Sequence, residues 1–86
     1  MVNNSKQMET IKSLLAKKLL LLSESTSVSE KEEAMSVLGI SRPTLDKYLS
    51  GDMDKIAKVD VATELNQFLS KKVKARMEKI RETNLV

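Results

Sequence analysis

The chain of 86 residues contains no cysteine, no histidine and no tryptophan, and its aromatic side chains are two, Tyr48 and Phe68. Without cysteine there is no disulfide scaffold and no thiolate metal site. Without histidine the commonest general base, imidazole metal ligands and histidine-dependent triads are removed. Glycine occurs twice and proline once, too rarely for a hairpin-rich β protein. Long apolar runs are missing too. Leu19 to Leu22 is closed by Ser23 and Glu24, far short of the ~18–20 residues that span a bilayer, and Lys17–Lys18 before it lacks the apolar region of a signal peptide. With no glycine-rich phosphate loop either, an enzyme is the least expected class. No cofactor, metal, small-molecule substrate or membrane partner is expected, and the expected location is the cytoplasm.

What remains is aliphatic and charged. The hydrophobic share of 41% must come from Leu, Ile, Val, Met and Ala, which suit helices in a single small domain. The net charge of +3 is unevenly distributed: residues 1–22 carry +3, 23–40 carry −3, 41–51 carry +1, 52–70 carry −2 and 71–86 carry +4. Charge divided this way steers polyanions, although solvated helix faces also demand it.

Apolar spacing predicts an all-α chain. Met8, Ile11, Leu15, Leu19 and Leu22 recur at three and four residues, so a helix over 7–22 carries them as one stripe, with Leu14 and Leu21 on its flank and Leu20 exposed on the far side. Residues 23–29 read as a serine-rich loop. Ser29 and Glu32 match a capping box for a second helix ending at Gly39. Ser41 caps a third, with Pro43 harmless in its first turn and Ser50-Gly51 as its stop. Residues 53–60 are either a short helix holding Ile56 or an ordered loop. Asp60 is expected to cap a last helix over 61–83. Its first half has a wide apolar face (Val61, Ala62, Leu65, Phe68, Leu69), which narrows to Val73, Met77 and Ile80 among six basic residues.

The segment from Glu33 to Leu49 has its own grammar. Two short helices meet at Gly39-Ile40-Ser41, with apolar anchors at Ala34, Leu38, Ile40, Leu45 and Tyr48 or Leu49. Leu38-Gly39-Ile40-Ser41-Arg42-Pro43-Thr44-Leu45 resembles the helix-turn-helix of prokaryotic, phage and plasmid DNA-binding proteins, especially serine recombinases and repressor-type regulators. The resemblance covers about residues 30–51. It departs from the family pattern at Met35, where a small residue is often preferred four positions before the turn glycine. Either Ala34 takes the close-approach role or the two helices cross more widely.

The resemblance implies that the start of the second helix faces the major groove of double-stranded DNA. Ser41, Arg42, Pro43, Thr44 and Lys47 are then the DNA-side residues. Arg42 is the candidate for a bidentate guanine contact, Thr44 for phosphate or a thymine methyl, and Lys47 for phosphate or guanine; Ser41 and nearby amides would seat a phosphate. Asp46 either accepts from cytosine or holds Arg42 or Lys47. Tyr48 reads as a core anchor. One such module buries only ~600–1,000 Å² on DNA, so a homodimer is expected, through the first helix with Leu20 or through the Val73, Met77, Ile80 stripe. The expected role is a small transcriptional regulator of repressor type. The alternatives are an accessory factor in partition, excision or packaging, and a helical protein-interaction module. Glu30, Glu32 and Glu33 read as a helix-start charge preference without a basic partner.

Overall fold

The computed structural model describes the backbone of residues 4–85 and the side chains of residues 10–81. It is all-α: α1 (Asn4–Ser25), α2 (Val28–Leu38), α3 (Arg42–Leu49) and α4 (Val59–Leu85) follow in order, with one 3₁₀ turn, Met53–Lys55, before α4. No strand occurs among the described residues.

The α1–α2 junction is tighter than its serine content implies. Instead of a loop over 23–29, α1 runs to Ser25 and only Thr26 and Ser27 are non-helical. Helix ends are short of partners for their last carbonyls, and here they find them. The buried Thr26 hydroxyl donates to the Leu22 carbonyl, the Thr26 amide to that of Ser23, and the Arg76 guanidinium from α4 to that of Ser25. The capping box also lies two residues earlier than expected. The Ser27 hydroxyl accepts from the Glu30 amide at 3.2 Å and Glu30 Oε1 accepts from the Ser27 amide at 2.9 Å. Both Ser27 and Ser29 have a glutamate three positions on; in the pair that is used, Glu30 also stands 3.5 Å from Arg76.

Glu30 and Glu33 therefore do have basic partners, contrary to the reading of an unpartnered acidic cluster. Glu33 meets Lys72 at 2.8 Å. Both partners come from α4, some forty residues away, so local sequence cannot reveal them. The two pairs set α2 antiparallel to α4, with Val37 and Leu38 beside Glu64, Gln67 and Phe68.

Further along, α2 stops at Gly39 in the left-handed region (φ 66°), with Gly39 and Ile40 amides both closing on the Met35 carbonyl. Ser41 then caps α3, which ends at Ser50 and at Gly51 (φ 84°). Gly51 has a second constraint: a β-carbon there would stand 2.8 Å from Leu20 Cδ2. Leu20 is exposed as expected, at 39%, and rests against this glycine. α4 begins at Val59, two residues before the expected start, and Asp60 lies inside its first turn rather than at its cap. The start is fixed from outside the helix. The Ala62 amide bonds the Lys58 carbonyl, and the Lys58 amide donates to the Tyr48 hydroxyl at 3.2 Å.

α1 packs chiefly on α4, α2 on α4, and α3 and the 3₁₀ turn on α1. Leu19, Leu45, Ile56, Leu65 and Leu69 are fully buried at the centre, each worth about 1.5–3 kcal/mol on leaving water. Ala16, Ala34 and Ala62 are buried with them and Met35 is half-buried; α2 packs chiefly on α4 rather than on α3. The predicted α1 stripe is only partly interior. Ala16 and Leu19 are buried and Leu15 and Leu22 pack at the edge, but Ile11, Leu14 and Leu21 stay exposed. Met8 lies outside the described side chains.

Two outcomes follow. Gly39→Ala meets open space and should cost about 1–2 kcal/mol, the left-handed strain alone. Gly51→Ala should cost more, and Leu20→Ala in the same chain should recover the excess; urea melts of the three variants measure both. The second outcome concerns acid. The Ser27 amide holds the Glu30 carboxyl below its ordinary range, with the Ser27 hydroxyl, Arg76 and Lys72 adding to the shift and partial burial opposing it. A depressed folded-state pKa contributes stability that is present above the unfolded value and lost as pH falls through the folded one. Glu30→Gln should therefore flatten the stability profile between neutral and acid pH, with its largest deficit on the neutral side.

Candidate nucleic-acid interface

The eight residues of α3 are too few to be stable alone, so its two faces are defined by what holds it. Leu45, Tyr48 and Leu49 point inward and are buried. At 100° per residue Pro43, Lys47 and Ser50 face the opposite way, with Asp46 and Arg42 along one flank, and all five are exposed. Tyr48 is the anchor predicted from its register: its ring is 3% exposed, and its hydroxyl ties α3 to the start of α4.

The five predicted DNA-side residues divide into two groups. Arg42, Pro43 and Lys47 are exposed, Pro43 and Lys47 outward and Arg42 on the flank it shares with Asp46. Thr44 is half-buried on the other flank, about 100° from Pro43 and about 60° from Lys47. Its hydroxyl accepts from the Ser41 hydroxyl at 3.0 Å, while Ser41 Oγ accepts from the Thr44 amide at 3.4 Å. Ser41 is thus engaged as the N-cap. Thr44 keeps one O–H free to donate.

Electrostatically the stripe is modest. Arg42 Nε donates to Asp46 Oδ1 at 3.3 Å, an exposed pair one turn apart. It is worth little to stability, but it fixes where the guanidinium points. Of the two roles foreseen for Asp46, the geometry here is the one that holds Arg42. Lys47 carries no ion pair among the described residues, and Arg42, Asp46 and Lys47 together have a net charge of +1. The next segment adds Asp52, Asp54, Lys55 and Lys58 and cancels itself. The chain's remaining excess of positive charge lies on α1 and α4, of which α1 packs against α3.

Sequence reasoning missed Lys58, whose amide donates to the Tyr48 hydroxyl behind α3, and no local signal marked it. Gly51, named as the stop of α3, also lies against Leu20, and Ile56, named in the segment after it, is 1% exposed. Among the described residues no group of three acidic side chains is placed to hold a metal ion, and no helix is long and apolar enough to cross a membrane. The chain matches no protein-family profile, no curated protein and no solved structure.

Ser41→Ala removes the α3 cap and should cost about 0.5–2 kcal/mol. Urea denaturation measures it, and the double variant Ser41→Ala/Thr44→Val should lose less than the sum of the two single losses, since the hydroxyls are partners.

Proposed function

We propose that this chain binds double-stranded DNA in a sequence-dependent way, with α3 in the major groove, as a small regulator of repressor type. One observation carries the reading: a short helix seated on buried Leu45, Tyr48 and Leu49, directly after a left-handed glycine turn, presents Arg42, Pro43, Asp46 and Lys47 outward from its first two turns. In this role Arg42 reads guanine through a fork that Asp46 orients, and Lys47 and Thr44 take phosphates. A net charge of +1 on the stripe gives a single copy low affinity and a shallow salt dependence. Useful occupancy then needs more than one copy on the same DNA, in keeping with the homodimer anticipated from the sequence.

A second use of the same binding, as an accessory factor assembling over adjacent sites, is favoured by one feature: α2 and the distal part of α4 carry opposite charge and are both exposed.

Selection from a randomised duplex pool at moderate salt, with sequencing of the retained DNA, tests the proposal. An enriched motif is the expected result. Arg42→Ala should then lose about 1–3 kcal/mol on that motif and little on random DNA. Asp46→Asn should bind random DNA more tightly while discriminating less, because the guanidinium is released to reach phosphate. No enrichment, or equal losses on motif and random DNA for Arg42→Ala, would leave the helical protein-interaction module as the better reading.

A further inference from the structure

Two surfaces take no part in the α3 stripe. The first is a groove of about 460 Å³ between the end of α1 and the distal half of α4. Its floor is Leu22, Val73 and Met77, with Lys74 and Arg81 on its rim. Met77 is 64% exposed, and Leu21 on the α1 side is equally so. Glu78 stands between the two basic residues, leaving the rim net positive. The second surface is the outer face of α2, where Val28, 63% exposed, and Glu32 lie one turn apart.

Charge pairing within the chain says what belongs in the groove. α2 already docks on α4 through Glu30–Arg76 and Glu33–Lys72. Lys72 and Arg76 occupy one flank of α4. Lys74 lies two residues from each, about 200° round from Lys72 and about 160° from Arg76, and so on the other flank. There Lys74 and Arg81 have no ion-pair partner among the described residues, and neither does Glu32 on α2. The unused cations of α4 and the unused carboxylate of α2 repeat, on outward faces, the pairing that the fold makes inward.

We propose that the groove receives the outer face of α2 from a second copy of this chain, Val28 entering between Leu22 and Met77 while Glu32 meets Lys74 and Arg81. A second copy supplies the acidic, valine-edged helix that the basic groove requires. Two α4 grooves face to face would instead oppose like charges, which is costly. Because the two surfaces differ, the contact is heterologous: each copy offers a free α2 to one neighbour and a free groove to another, and assembly continues past the dimer. Arg42 and Lys47 lie on neither surface. The contact does not depend on the nucleic-acid reading, and its test is made without DNA.

The test is sedimentation equilibrium of the whole chain at low ionic strength, from about 10 to about 500 µM, a range that reaches weak protein contacts. The wild-type mass should climb with concentration and pass the dimer. Glu32→Lys spoils only the α2 face and Met77→Lys only the groove. Both positions are exposed, so circular dichroism should be unchanged, and each variant should self-associate at least about tenfold more weakly. Mixed together, the two should form a 1:1 dimer that grows no further, since one intact α2 face meets one intact groove. A wild-type chain that stays monomeric or stops at the dimer overturns the proposal. So does a Glu32→Lys chain that assembles like wild type, or a mixture that fails to pair. These outcomes leave the DNA selection experiment unaffected.

Discussion

Filling a core with small and aliphatic side chains is the constraint on which this fold rests. The whole chain has two aromatic side chains; Tyr48 enters the core, Phe68 packs at its edge, and aliphatic residues fill the rest. Ala16 on α1, Ala34 on α2 and Ala62 on α4 are buried to 1% or less, in one core with Leu19, Leu45, Leu65 and Leu69. α2 is laid against α4 and α3 against α1, with the Gly39 turn joining the two. A larger side chain at Ala34 would overpack this core and shift the turn that leads into α3.

Much of this was legible in the sequence because it is local. The Gly39 stop, the Ser41 cap, the Pro43 position and the inward face of Leu45, Tyr48 and Leu49 depend on residues within one or two turns of each other. The readings that needed correction all involve tertiary partners. Ser23 to Ser25 are helical because Thr26 and Arg76 take up the terminal carbonyls. Asp60 does not cap α4, because Lys58, fastened by Tyr48, begins the helix sooner. The glutamates of α2 find their cations on α4. Among the candidate site residues the same division holds: the outward Pro43 and Lys47 follow from periodicity. Arg42 and Thr44 stand on opposite flanks, and packing from elsewhere in the chain leaves Arg42 exposed and Thr44 half-buried.

The charge arrangement bears on both proposals in one way. If α3 reads DNA as proposed, its exposed residues carry a net charge of only +1, with the Arg42 guanidinium paired to Asp46. That balance favours discrimination over grip, and affinity would then come from the number of copies engaged. A chain whose spare cations and spare carboxylate sit on separate faces, clear of α3, has the means to bring those copies together. Selectivity and avidity would then reside in different parts of one small domain.

The hydrogen bond from the Lys58 amide to Tyr48 has a further consequence. Tyr48 is the only tyrosine and tryptophan is absent, so nearly all the near-ultraviolet absorption and emission of the chain arise at one buried ring directly behind α3. That ring touches the core on one side and the lead-in to α4 on the other. Its emission is therefore a built-in optical gauge of whether α3 is seated, readable in the unlabelled protein.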